Sequence, residues 1–86
     1  MNITQVYYVL AVAKYRSFSG AAQELFVSQP ALSKQIRSLE IELGYDLFIR
    51  SSQGVTLTKE GGRFCRYGQQ VVDDWEHFQR QVNYKD

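Results

Sequence analysis

Residues 17–44, SFSGAAQELFVSQPALSKQIRSLEIELG, constrain this chain more than any other stretch. Ser17 is placed to cap a helix from Phe18 to about Leu25, its hydroxyl accepting a backbone N–H that a helix start leaves free. Ala21 and Ala22 are small, so another helix can approach closely on that side. Phe26 and Val27 form a turn, and their apolar side chains are expected to plug the corner. Ser28 caps a second helix. Pro30 falls in its first turn, where a missing N–H does no harm. Gly44 can take the left-handed conformation that ends it.

That second helix has two faces. Leu32, Ile36, Leu39 and Leu43 recur at spacings of four, three and four, one apolar stripe at helical period. The other face carries Gln29, Pro30, Ser33, Lys34 and Arg37, with no acid before Glu40. An amphipathic helix taken alone needs only solvent on its polar side. Here the small-residue pair, the short turn, the early proline and the acid-free first half occur together. They are the parts of a helix-turn-helix, and the start of its second helix directs positive dipole charge outward, towards an anion.

The flanking segments fit the same plan. Asn2 and Gln5 are spaced as a capping box for a first helix. Val6, Val9, Leu10 and Ala13 give it an apolar stripe, and Tyr7, Tyr8, Ala11 and Val12 make other sides apolar as well. Such a helix is expected to be covered on more than one side. Leu47–Ile49 and Val55–Leu57 are short β-favouring runs around a turn at Ser51-Ser52-Gln53-Gly54, which predicts a small hairpin. Arg50 stands where strand meets turn, able to reach outwards.

Thr58 caps a last helix expected to run from Lys59 to about Tyr84. Phe64, Val71 and Phe78 repeat every seven residues, as do Gly68, Trp75 and Val82. Together they make a seam like that of a short coiled coil. Trp75 and Phe78 would each gain roughly 1.5–3 kcal/mol from burial. A second copy of the chain would cover the seam; the competing arrangement folds the helix back onto its own domain.

The 86 residues suffice for one small domain. Domains of this size bury only about 60% of their unfolded surface. With 44% hydrophobic and 22% charged residues, the composition is that of a globular chain. No apolar run approaches the roughly 18 residues of a membrane span, and no signal peptide is apparent. A single cysteine, Cys65, excludes an internal disulfide and suits a reducing cytosol. His77, the one histidine, has no second ligand at metal-binding spacing. No catalytic set, P-loop or dinucleotide fingerprint stands out, so neither catalysis nor a cofactor is expected of this chain. The net charge is only +1. Lys34, Arg37, Arg50, Lys59, Arg63 and Arg66 nevertheless lie apart from Asp73, Asp74 and Glu76, which predicts a basic end and an acidic end.

The 17–44 string, with its continuation LFIR…GVTLTKEG from Leu47 to Gly61, resembles the DNA-binding domain of LysR-type transcriptional regulators. The resemblance covers about the first three quarters of the chain. It implies a mainly α, winged helix-turn-helix domain over residues 1–58 and a linker and dimerisation helix over 59–86. A C-terminal domain, absent from this chain, would bind a small-molecule effector.

By the same resemblance, Gln29, Pro30, Ala31, Ser33, Lys34 and Arg37 would lie in or beside the major groove of double-stranded DNA, with Ser28 and Ser33 reaching phosphates and Gln29 and Pro30 base edges. Arg50, Ser51 and Ser52 would approach it from the wing. Phe64, Val71, Trp75, Phe78 and Val82 would pair two chains in a cytoplasmic homodimer that reads an interrupted inverted repeat. The wing turn lacks the extra basic residues common in the family, and Lys34 stands where arginine is common and lacks its bidentate fork. The near-neutral charge leaves room for a second reading: a winged helix whose polar face is inert and whose aromatic last helix binds another protein.

Overall fold

The structure, a computed structural model of the chain, describes residues 1–83. In order it contains α1 (Ile3–Tyr15), α2 (Phe18–Leu25), α3 (Gln29–Leu43), β1 (Phe48–Ser51), β2 (Gly54–Leu57) and α4 (Lys59–Val82). This is the expected mainly α winged helix-turn-helix. Tyr84, where the last helix was expected to end, lies outside the described residues.

Each helix begins on the predicted cap. Asn2 and Gln5 form the full capping box. Ser17 accepts the Gly20 N–H at 2.9 Å, Ser28 the Ala31 N–H at 3.2 Å and Thr58 the Gly61 N–H at 2.9 Å. Gly44 ends α3 at φ 84°. The other two early helices end on side-chain-bearing left-handed residues, Arg16 at φ 52° and Phe26 at φ 58°.

Val9, Val12, Phe18, Ala21, Ala22, Leu32, Ile36, Leu39, Leu47 and Phe48 form one core where α1, α2 and α3 meet the base of the hairpin. The α3 stripe is buried as its spacing requires, with Leu43 at its edge. Ala21 and Ala22 are buried too, the close approach that their size allows.

Two expectations need correction. In α1 the fully buried apolar positions are Val6, Val9 and Val12; Leu10 and Ala13 are half-buried. α1 packs against α2, α3 and α4 at once, and the crossing selects the Val12 side. Phe26 does not plug the corner, since it is 95% exposed. Its left-handed backbone turns the side chain out, and Val27 alone packs against the core.

The hairpin strands are antiparallel, pairing Phe48 with Leu57, Ile49 with Thr56, Arg50 with Val55 and Ser51 with Gly54. The ladder runs one or two residues further into the turn than the β-favouring runs suggest. Gly54 sits at φ 120°, a conformation that side-chain-bearing residues rarely adopt. The preceding loop is clamped from two sides. The Glu40 carboxylate accepts the Leu47 and Phe48 N–H groups at 2.7 and 3.3 Å. The Thr58 hydroxyl donates to the Asp46 carbonyl at 2.7 Å, and the Thr58 N–H to the Leu47 carbonyl at 3.0 Å. Gly61 lies directly on Leu47: a Cβ there would sit 2.0 Å from the Leu47 carbonyl oxygen.

α4 divides its faces. Gly61, Gly68 and Val72 are buried against the domain, and a Cβ on Gly68 would lie 3.2 Å from the Val6 side chain. Phe64 packs partly on the core. Tyr67, Val71, Trp75, Phe78 and Val82 remain open, and the rings of Trp75 and Phe78 are 6.0 Å apart. Gly68 thus belongs to the contact with α1, and Phe64 is shared between the domain and the open face.

Candidate nucleic-acid interface

The N-terminal half of α3 buries Leu32 and Ile36 in the core and leaves its opposite, polar side open. Ser28, Pro30, Ala31, Lys34 and Arg37 are exposed, and Gln29 and Ser33 are half-buried. Gln29 and Ser33 are one turn apart, and the Gln29 amide nitrogen donates to the Ser33 hydroxyl at 3.0 Å. Lys34 has no hydrogen-bond or ion-pair partner among the described residues and projects its charge into solvent.

Arg37 is engaged instead. It donates to Asp46 at 3.0 Å and lies 3.6 Å from a Glu40 oxygen. Arg37 and Asp46 are both well exposed, and ion pairs of this kind contribute about 0–1 kcal/mol. The guanidinium can therefore be redirected to an incoming anion at little cost. Glu40 is only 8% exposed and carries three partners. Sequence reasoning treated it merely as the first acid on the polar face. The available signal was its spacing, four residues after buried Ile36, which puts it on the apolar stripe.

Arg50 departs from the outward reach expected of it. Its guanidinium stacks on the Phe18 ring, 3.6 Å from the centroid, and donates a long 3.5 Å hydrogen bond to the Ser33 hydroxyl. The Phe18 ring is held edge-on by Phe48 at 5.9 Å. Wing, supporting helix and exposed helix are thereby joined through one arginine. Ser51 and Ser52 are exposed at the wing tip, where the Ser51 hydroxyl accepts the Gln53 N–H at 3.2 Å and stabilises the turn. Phe18 as a stacking platform carried no sequence signal, because its partner lies 32 residues away.

Elsewhere, burial pushes the Cys65 thiol up from its ordinary range and keeps it neutral. Among the described residues no helix is long and apolar enough to cross a membrane.

An exposed polar helix held by a helix-turn-helix beside a two-stranded wing defines a winged-helix domain of the kind found in transcription regulators. The chain belongs to the family described as "Bacterial regulatory helix-turn-helix protein, lysR family", which matches residues 3–62. It is 39% identical over 82 residues to the uncharacterized HTH-type transcriptional regulator YcgK of Bacillus subtilis, covering 95% of this chain and 25% of that protein. It is 43% identical over 79 residues to the probable cat1 operon transcriptional activator of Acinetobacter lwoffii, covering 92% and 26%. The chain thus spans about a quarter of the length of these curated relatives.

Among solved structures, it resembles the CbnR DNA-binding domain crystallised with DNA, with TM-score 0.89, 32% identity, and 95% and 94% of the two chains covered. It also resembles the BenM DNA-binding domain in complex with catB site 1 DNA, with TM-score 0.90, 34% identity, and 99% and 100% covered. The chain is a regulator domain, not an enzyme.

Proposed function

We propose that this chain binds double-stranded DNA sequence-selectively, as the DNA-binding part of a longer transcriptional regulator. Residues 1–58 form the DNA-binding unit, and residues 59–86, the segment that α4 occupies as far as Val82, join two copies. The observation that carries this reading is the open face of α3, where Gln29, Ser33 and Lys34 stand together with Arg50 of the wing, on a fold shared with domains crystallised on DNA.

In this reading α3 enters the major groove. Gln29, Pro30 and Ala31 meet base edges at its N-terminal end, and a glutamine amide matches adenine there. Ser28, Ser33, Lys34 and a redirected Arg37 serve the phosphates, aided by the dipole of α3. Ser51, Ser52 and Arg50 bring the wing beside the duplex. Phe64, Val71, Trp75, Phe78 and Val82 pair two chains about a two-fold axis, which sets two copies of α3 on one side of the duplex. The protein acts in the cytoplasm. A small-molecule effector acts on a further domain of the regulator, and this chain takes no cofactor of its own.

Selection from a random duplex pool at physiological salt tests this, because nonspecific backbone attraction is damped there. Enrichment of an interrupted inverted repeat is expected. Recovery of unrelated sequences, held only by weak salt-sensitive binding, would overturn sequence-selective recognition.

A further inference from the structure

We infer that Arg50 is a positioning residue for base reading: through Ser33 it sets the orientation of the Gln29 amide, so that the wing tunes specificity without touching a base. The inference rests on the assignment of Gln29 as a base-reading residue and extends it to the residues behind it. Among the described residues, Arg50 is the one wing residue hydrogen-bonded to Ser33. Its guanidinium carbon lies over the Phe18 ring, 3.6 Å from the centroid, close enough for a planar guanidinium to stack on an aromatic face. From there one nitrogen faces the Ser33 oxygen at 3.5 Å.

The same oxygen accepts from the Gln29 amide nitrogen at 3.0 Å. With Arg50 placed as a second, longer donor at 3.5 Å, the Ser33 oxygen has a donor for each lone pair and its own proton for an outside acceptor. Gln29, held by one amide hydrogen, keeps its second hydrogen and its carbonyl oxygen free. Those two groups form the donor and acceptor pair that adenine matches through N7 and the N6 amino group. A Ser33 oxygen released from Arg50 can turn, and the amide it holds turns with it.

A phosphate-binding arginine and a positioning arginine behave differently when replaced by lysine. Lysine keeps the charge and loses the planar stack and the fork. The duplex to use is the one recovered by selection with this chain, together with its single-base variants, across a series of salt concentrations. Arg50→Lys is expected to keep the wild-type salt slope, since one cation is still present. It should nevertheless lose most of the base preference at one position in each half-site, a preference that is roughly tenfold or more for a bidentate amide. Ser33→Ala should lose preference at the same position, and Arg50→Lys with Ser33→Ala should lose no more than either alone. Phe18→Leu, which keeps an apolar side chain in the core but removes the ring, should act likewise.

Gln29→Ala separates the two layers of the argument. If it leaves every base preference intact, the assignment of Gln29 falls and the coupling falls with it. If it flattens one position while Arg50→Lys and Ser33→Ala do not, the coupling alone is wrong. A uniform loss of affinity for all bases on Arg50→Lys would likewise make Arg50 a phosphate contact and overturn the inference.

Discussion

Phe26 and Glu40 show how single residues here serve opposite ends. Phe26 holds a left-handed backbone at φ 58° with its ring 95% exposed, so it carries strain without gaining burial. Asparagine tolerates that conformation better. Phe26→Asn is therefore expected to raise stability by about 0.5–1 kcal/mol, read as a higher midpoint in urea. Glu40 works in the other direction. Its carboxylate is the acceptor for two buried backbone N–H groups, and an unsatisfied buried donor costs about 1–3 kcal/mol. Glu40→Ala should destabilise the chain by about 2–4 kcal/mol, with the hairpin amides losing hydrogen-exchange protection first.

Adjacent glycines make a sharper contrast at the scale of the element. Gly61 and Gly62 both lower the intrinsic helicity of the first turns of α4. Only Gly61 is required by packing, because its missing Cβ lets α4 rest on the Leu47 carbonyl, whereas nothing lies within 4 Å of a Cβ on Gly62. Gly62→Ala should stabilise by about 0.5–1 kcal/mol through helix propensity. Gly61→Ala should cost at least about 2–3 kcal/mol, because a backbone oxygen cannot swing aside as a side chain can. Thermal unfolding of the two variants side by side measures the difference. The clamp at this junction also explains why the hairpin keeps one placement relative to α3: Glu40 holds it from one side and Thr58 from the other.

At the scale of the whole molecule, the described residues extend 52 Å along their long axis, because α4 runs beyond the core. Its outer half carries Val71, Trp75, Phe78 and Val82, all exposed among the described residues. A contiguous apolar strip of this kind marks an interaction surface. Trp75→Ala with Phe78→Ala should leave the fold of the monomer intact, since both side chains are already partly or largely in water. In sedimentation the wild-type chain is expected as a dimer and the double variant as a monomer. A double variant that remains dimeric would place the contact elsewhere.

The local signals of the sequence were sufficient for every helix start, for the stop at Gly44, for the α3 stripe and for the existence of the wing. Each depends on hydrogen bonds or spacings that span four residues or fewer, or on one face repeating at a fixed period. Leu10, Arg37, Arg50 and Gly68 were different. What Leu10 packs against, that Arg37 pairs with Asp46, that Arg50 lies on Phe18 and that Gly68 meets Val6 all depend on how elements are placed against one another. Those placements bring together residues far apart along the chain. Periodicity along one helix says which side is apolar, but not which neighbour will lie there. Only the packed arrangement of three helices and a hairpin decided that, and with it the geometry of the α3 face.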